Sequence, residues 1–191
     1  MEYFLTEEQQ MIQEIAAKIA TEKVRPVRAE LDESEEFPWE IMKVLAQSDL
    51  FGVYLPEEYG GLGGGVLENC LAIEEMGRAC IAVATTFAAS GLGAYPILLF
   101  GTEEQKQKYL TPIASGEKLA AFGVTEANAG SDAGGIQTTA TRDGDHYVLN
   151  GTKQWITNAG EAEIYTVVAM TDRTKGARGA SAFIVEKGDP G

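Results

Sequence analysis

Two segments of the chain carry more polar chemistry than their surroundings. One runs from Phe122 to Asp132 and reads FGVTEANAGSD, and the other runs from Lys153 to Asn158 and reads KQWITN. Together they supply backbone amides, hydroxyl groups and one indole ring. Amides and hydroxyls can bond carbonyls, ring nitrogens and phosphate oxygens, and an indole can pack on a flat ring. The two segments therefore suit a planar heteroaromatic ligand joined to phosphates.

The same residues also have a plainer interpretation. A glycine-rich turn followed by a β-hairpin with a core tryptophan would have the same composition. Composition alone does not choose between a ligand site and this purely structural alternative.

Other familiar sites do not fit the sequence. The glycine-rich stretch Gly60–Gly65 lacks the Gly-Lys-Ser/Thr of a phosphate loop, and Val66 stands where a dinucleotide fingerprint needs glycine. A hydrolase elbow needs glycine two residues before and two after its serine, but Ser131 has alanine at both places and Ser181 has Phe183 at the second. We therefore expect neither a classical nucleotide loop nor nucleophilic hydrolysis.

Metal chemistry has no support in the histidine and cysteine pattern. His146 is the only histidine and is expected to be an ordinary strand or turn residue. Cys70 and Cys80 have no second pair beside them, so they are expected to be buried free thiols. No metal site is predicted.

The elements that must position these segments begin with helices. A capping box at Thr6 opens an amphipathic helix that Pro26 should kink or end, and a second helix is expected to open at Pro38. Apolar spacing predicts a further helix from Val66 to Cys80. Three more features complete the helical part: a loop over Gly52–Gly65, a helix over Ile81–Phe100 that is buried on most sides, and a capping box at Thr102.

After Gly116 the pattern changes to short runs rich in β-formers. Asp143-Gly144 and Asn150-Gly151 are hairpin signals. The fold class is therefore α+β, with a helical domain over 1–116 and a β-domain over 117–191 whose strands are expected to be antiparallel and barrel-like. Predicted strands are Leu119–Thr125, Ile136–Arg142, His146–Leu149, Lys153–Thr157, Ile164–Met170 and Ala182–Glu186.

Composition narrows the class of partner. The formal charge is −14, from 15 basic and 29 acidic residues, so binding to nucleic acid is not expected because phosphates require clustered Lys or Arg. The apolar stretches are expected to fall short of the roughly 20 residues that cross a bilayer. The chain is accordingly expected to bind no membrane and to be cytoplasmic.

Four motifs, in order and spacing, resemble the acyl-CoA dehydrogenase family over the whole chain. They are Leu55–Gly61, Gly101–Leu110, Phe122–Asp132 and Lys153–Asn158. The resemblance is to a short-chain, butyryl-CoA-dehydrogenase-like member. It implies FAD as cofactor, and it implies that this chain holds the amino-terminal and part of the middle domain, without the carboxy-terminal helical bundle.

The resemblance also implies roles for individual residues. Val124 and Thr125 would hold the pyrimidine edge of the flavin, and Gly130 and Ser131 would touch the FAD phosphates, with Ser131 also meeting the acyl-CoA. Phe122 replaces a frequent tyrosine and Ala127 a usual proline, and neither change removes the backbone donors. Contacts with the isoalloxazine are implied for Trp155, Ile156 and Thr157, and contacts with the acyl chain for Ala88 and Leu92.

The implied reaction is α,β-dehydrogenation of an acyl-CoA thioester to a trans-2-enoyl-CoA. Electrons would pass to electron-transfer flavoprotein, which would dock near Trp155, and the family's assembly is a homotetramer. The resemblance places the catalytic base on a glutamate of the carboxy-terminal bundle, so we expect no catalytic residue in this chain and no activity from it alone.

Two alternatives stay open. The 191 residues could be a non-catalytic fragment, or half of a split protein that acts by association, because the helical domain would expose apolar surface. An acyl-CoA oxidase would share the same flavin motifs and would differ in the reaction of its reduced flavin with oxygen.

Overall fold

In the computed structural model, which describes residues 4–190, a helical layer packs on one side of a small sheet. A helix that starts at Glu7 passes through one π-helical turn, Ala20–Val24, and continues to Ser34. The helices are α1 (Glu7–Ile19), α2 (Arg25–Ser34), α3 (Trp39–Gln47), α4 (Val66–Ala79), α5 (Ile81–Phe100) and α6 (Glu103–Ala114).

The predicted helix boundaries follow the capping residues. Thr6 and Thr102 each form a complete capping box with the glutamine three residues on, and Pro38 is the residue before α3. Pro26 lies in the first turn of α2, directly after the π-helical turn. The predicted interruption is therefore present, as a π-helical turn rather than a break.

The α5 helix is the centre of the helical layer. Ten of its 20 residues are buried, and it packs against α4, α6 and the sheet. By length and composition alone it could cross a membrane, so the expectation that every apolar stretch is too short for this is wrong. Its high apolar content matches its position as a core helix, with neighbours on several sides.

The sheet contains five strands in a mixed arrangement. Strand β4 pairs parallel with β1 and, through the single pair Thr139–Met170, with β2, while β5 is antiparallel to β4 and β2 to β3. The strands are β1 (Ala120–Gly123), β2 (Thr139–Asp143), β3 (His146–Asn150), β4 (Ile164–Met170) and β5 (Ala180–Glu186).

The α+β class is confirmed, but the antiparallel barrel is wrong because the sheet is mixed and, over residues 4–190, open. The Asp143-Gly144 hairpin joins β2 to β3 as predicted. No strand forms over Lys153–Thr157. Trp155 and Asn158 have left-handed backbone, with φ of 60° and 67°, and this conformation cannot continue an extended ladder.

The predicted burial of the two cysteines is also wrong. Both are free thiols, but Cys70 is exposed and Cys80 is half-buried. On α4 the inward positions next to Cys70 belong to Asn69 and Leu71, so the thiol faces outward.

Helix α5 approaches β1 very closely at Gly93. A Cβ atom on Gly93 would lie 2.8 Å from both the Ala120 Cβ and the Ala121 carbonyl oxygen. Side-chain hydrogen bonds also join α5 to the sheet: the Ala120 amide donates to Ser90 Oγ, Thr166 Oγ1 of β4 donates to the Gly93 carbonyl, and Asn158 Nδ2 donates to the carbonyls of Thr86 in α5 and Ala120 in β1. The helix and the strand therefore hold a fixed separation that only glycine permits.

The Gly93→Ala substitution tests this close approach. Alanine favours a helix over glycine by about 1 kcal/mol, but the methyl group must push α5 away from β1. We expect a net loss of about 1–3 kcal/mol in the free energy of unfolding, measured by urea denaturation. Gly188→Ala, at a position with open space around it, is the control and should change stability little. Equal stability of the two variants would contradict the close packing.

Candidate functional site

The first polar segment is an excursion from one edge of the sheet. Gly123 pairs with Val167 of β4, and Thr139 pairs with Met170 of the same strand, while β5 occupies the opposite edge along its whole length. Residues 124–138 therefore leave the β4 edge where β1 ends and return to it as β2. We call residues 124–138 the excursion.

The second polar segment, residues 153–158, passes over the start of the excursion and forms hydrogen bonds with it. The Gln154 amide donates to the Thr125 carbonyl at 2.9 Å, and Lys153 Nζ donates to the Val124 carbonyl at 2.9 Å. The crossing is possible because Gly151 presses against Thr138, where a Cβ would lie 2.3 Å from Thr138 Oγ1. We call residues 153–158 the crossing loop.

A buried ion pair lies where the two segments meet. Glu126 Oε1 and Lys153 Nζ are 2.8 Å apart, and the two side chains are 9% and 12% exposed. The carboxylate also accepts from the Gln137 amide at 2.6 Å, the Thr138 amide at 2.9 Å and the Thr138 hydroxyl at 2.5 Å. Glu126 thus joins the beginning of the excursion both to its end and to the crossing loop.

The electrostatics of this ion pair favour the charged carboxylate. Burial raises the pKa of Glu126, but the ammonium of Lys153, the Thr138 hydroxyl and the amides of Gln137 and Thr138 lower it more, so the pKa is about 2. Glu126 is therefore ionised across the physiological pH range and accepts hydrogen bonds without donating any.

Several hydroxyls and amides predicted for ligand binding have no hydrogen-bond partner in the described part of the chain. Within residues 4–190, the hydroxyls of Thr125, Ser131 and Thr157 form no hydrogen bond, and neither do the amides of Gly130 and Ser131. Thr125 and Thr157 are half-buried, while Gly130 and Ser131 are exposed. Such donors suit an acidic or heteroaromatic ligand from outside the chain.

Trp155 lies on the surface of the crossing loop, between Gln154, whose amide binds the Thr125 carbonyl, and Thr157. Its side chain is 83% exposed and its backbone has φ of 60°, which is rare for a bulky residue. The alternative of a core tryptophan in a hairpin is therefore wrong. Ile156, the next residue, is half-buried and packs against the main core. Because the indole of Trp155 is exposed, it can pack on a planar ligand.

Asn158 ties the crossing loop to the helical layer. Its side-chain amide donates to the Thr86 carbonyl of α5 at 3.0 Å and to the Ala120 carbonyl of β1 at 3.3 Å, and the residue is 7% exposed. The end of the crossing loop is therefore fixed relative to α5.

The residues predicted for acyl-chain contact lie along α5. Ala88 is half-buried and Leu92 is 57% exposed. They lie on one face with Ile81 and Leu99, which are also exposed, at the i, i+4 and i+7 spacing of a helix. This face belongs to the helix that the Asn158 side chain binds through the Thr86 carbonyl.

The remaining predicted residues lie close to the same meeting point. Phe122 is half-buried in β1 and Val124 is the first residue after the strand, with its carbonyl bound by Lys153. The structure thus brings Val124 and Thr125 together with the crossing loop, while Gly130 and Ser131 lie farther along the excursion. A ligand that contacts all of these residues must extend from the meeting point along the excursion.

Sequence reasoning missed Glu126, Lys153 and Asn158 as site-forming residues. Glu126 and Lys153 are 27 residues apart, and Asn158 bonds a carbonyl 72 residues away. No local spacing signals such pairs. The opposite charges of Glu126 and Lys153, one in each motif, are a feature of the sequence that could have directed attention to that pair.

Comparison with known proteins identifies the family. The family model "Acyl-CoA dehydrogenase, N-terminal domain" matches residues 6–117, and "Acyl-CoA dehydrogenase, middle domain" matches residues 121–191. The chain therefore belongs to the acyl-CoA dehydrogenase family, as the four motifs indicated. Among curated relatives, the "Acyl-CoA dehydrogenase, short-chain specific" of Clostridium acetobutylicum is 48% identical over all of this chain and 51% of its own length.

Two solved structures have the same fold. Butyryl-CoA dehydrogenase from Megasphaera elsdenii superposes with a TM-score of 0.95 at 45% identity, covering 100% of this chain and 51% of that one. An acyl-CoA dehydrogenase complexed with FAD from Bacillus anthracis gives a TM-score of 0.86 at 42% identity, covering 96% of this chain and 31% of that one. The chain spans about half the length of the curated relatives it matches.

Substitutions at Asn158 test the connection between the crossing loop and α5. Asn158→Gly removes two hydrogen bonds and should cost about 1–3 kcal/mol in the free energy of unfolding. Asn158→Ala should cost about 1 kcal/mol more, because alanine is strained at positive φ. Asn128→Ala, at an exposed turn position, is the control in urea denaturation. If Asn158→Ala were as stable as the control, the connection would be irrelevant to folding.

The low pKa of Glu126 predicts a specific pH dependence. Because its folded-state pKa is about 2 and its ordinary value is 4.5, its ionisation stabilises the fold above the ordinary value. That contribution disappears as the pH falls from 4.5 through about 2. The difference in the free energy of unfolding between wild type and Glu126→Gln, measured by urea unfolding, should therefore decrease as the pH is lowered from 4.5 to about 2. A gap that is independent of pH would refute the assignment.

Proposed function

We propose that this chain forms the flavin-binding part of an FAD-dependent acyl-CoA dehydrogenase. The reaction is α,β-dehydrogenation of a short-chain acyl-CoA thioester to a trans-2-enoyl-CoA. The observation that carries the proposal is the meeting of the excursion and the crossing loop, which brings together the hydroxyl-bearing residues Thr125 and Thr157, unpaired within residues 4–190, and the exposed Trp155.

The residues present fit FAD. The half-buried hydroxyls of Thr125 and Thr157 have no partner within residues 4–190 and suit the polar edge of the isoalloxazine, and Trp155 and Ile156 supply an apolar surface for its ring. The exposed amides of Gly130 and Ser131 suit the pyrophosphate. FAD is the cofactor of the family, and the predicted cofactor is confirmed at that level. When bound, FAD supplies the acceptor for the hydride that leaves the β-carbon.

The acyl group is assigned to the exposed face of α5 around Ala88 and Leu92. Apolar side chains there can shield the acyl chain from water, and Asn158 keeps this helix at a fixed position relative to the crossing loop. The short-chain assignment is supported by the names of the two relatives that act on short acyl-CoA.

We assign no catalytic base within residues 4–190. Glu126 directly follows the predicted flavin contact Thr125, but its oxygens accept four hydrogen bonds and its pKa is about 2. A base that removes an α-proton needs a free lone pair and a higher pKa. Proton removal is therefore proposed to depend on residues outside this range.

Electron-transfer flavoprotein is proposed as the electron acceptor. The 83% exposed indole of Trp155 gives a docking protein access to the edge of the flavin site. The proposal also includes a homotetrameric assembly, from the family resemblance, and a cytoplasmic location, expected from the sequence composition.

Flavin binding and reduction test the function directly. The protein purified from the complete gene should bind added FAD, seen as a shift and sharpening of the visible absorption bands, and butyryl-CoA should bleach them in the absence of oxygen. Failure to bind FAD would end the proposal. Reoxidation of the bleached flavin by electron-transfer flavoprotein, rather than rapidly by oxygen, distinguishes a dehydrogenase from an oxidase.

Thr125→Val tests the assignment of an individual donor. Loss of one hydroxyl contact should weaken FAD binding by about tenfold, which corresponds to about 1.4 kcal/mol. The dissociation constant is measured by flavin fluorescence. Thr152→Val is the matched control, since Thr152 is an exposed threonine just before the crossing loop and has no predicted contact. Equal weakening in both variants would show that Thr125 has no specific role.

A further inference from the structure

We infer that Glu126 and Lys153 act together as positioning residues, holding the excursion and the crossing loop in the one arrangement that presents their donors to the flavin. This inference rests on the proposed function. It assigns no direct contact with FAD to either side chain. It assigns to them the geometry of the groups that make the contacts.

Glu126 connects the two ends of the excursion. The excursion leaves and rejoins the same edge of β4, and its two ends are not paired with each other by a β-ladder. The Glu126 carboxylate bridges the ends, because it stands near the exit and accepts from the Gln137 and Thr138 amides near the return. Within residues 4–190, no other side-chain hydrogen bond joins the beginning of the excursion to its end.

Lys153 fixes the orientation of the peptide group between Val124 and Thr125. Its ammonium binds the Val124 carbonyl and the Gln154 amide binds the Thr125 carbonyl, so both carbonyls point toward the crossing loop. In a trans peptide the carbonyl and the next amide point in opposite directions. The Thr125 amide is therefore turned away from the crossing loop, and within residues 4–190 it has no acceptor.

The Glu126–Lys153 pair is far more buried than the surface ion pair of Lys108 and Glu186. Lys108 and Glu186 are 58% and 40% exposed, and such surface pairs organise little. The Glu126–Lys153 pair is largely buried, its carboxylate accepts four hydrogen bonds and its ammonium donates two. A buried pair of this kind adds little net stability, but it selects one arrangement among several because any other leaves a charge unpaired.

The chemistry of the two side chains defines the variants. Glu126→Gln keeps the shape but replaces one acceptor oxygen by a donor that faces other donors. Lys153→Met keeps the length but frees the Val124 carbonyl and leaves the carboxylate with three of its four donors. The double variant Glu126→Gln/Lys153→Met measures coupling between the two residues, and Lys108→Met is the surface control.

The test combines three measurements on the purified protein. The FAD dissociation constant is measured by flavin fluorescence, the stability of the apoprotein by thermal unfolding, and the placement of the ring by visible circular dichroism at saturating FAD. The last measurement separates positioning from stability, since a merely less stable protein gives the wild-type spectrum once saturated.

Each single variant should bind FAD at least about tenfold more weakly while its apoprotein remains folded at the assay temperature. The visible circular dichroism of the saturated variants should differ from that of the wild type. The double variant should bind FAD more weakly than the wild type, by a factor much smaller than the product of the factors for the two single variants. Lys108→Met should match wild type in all three measurements.

The contrary outcomes are distinct. Wild-type spectra and affinities in both single variants would overturn the inference, and so would weak binding that only tracks the unfolded fraction. If Glu126→Gln does not fold, Lys153→Met decides the question alone, because it retains most of the carboxylate's hydrogen bonds. Failure of the wild-type protein to bind FAD would refute the proposed function instead.

Discussion

The crossing of one loop over another is the constraint on which the rest of the structure depends. Residues 153–158 could have continued the sheet as a hairpin strand, but they pass over the exit of β1 and bind the carbonyls of Val124 and Thr125. The crossing requires a charge pair inside the protein and left-handed backbone at Trp155 and Asn158. These features are costly in isolation, and clusters of such features are typical of functional sites.

The helical layer supports the crossing from behind. Gly93 allows α5 to lie against β1, and Asn158 binds α5 and β1 at once. The face of α5 that carries Ala88 and Leu92 is thereby fixed relative to the crossing loop. The two halves of the proposed site, one for the acyl chain and one for the flavin, are therefore positioned by the same small set of contacts rather than by independent loops.

Local signals predicted the parts of the fold that local interactions form. Both threonine capping boxes, strand β4 with its bounds, and the Asp143-Gly144 hairpin follow from spacing and turn chemistry. Lys153–Thr157 has strand-forming residues after an Asn-Gly pair, yet it forms no strand because distant groups, Glu126 and the Thr86 carbonyl, determine its path. The parallel pairing of β1 with β4 was missed for the same reason. The motifs located the candidate site, but the residues that assemble it have no local signature.

The central claim is that Thr125 and Thr157 face one ligand from two converging segments. A crystal structure of the protein with bound FAD tests it most directly, by the distances from both hydroxyl oxygens to the isoalloxazine. We expect both to lie within about 2.7–3.2 Å of acceptor or donor atoms of the ring system. An isoalloxazine bound elsewhere, with both hydroxyls facing solvent, would show that the excursion and the crossing loop do not form the flavin site.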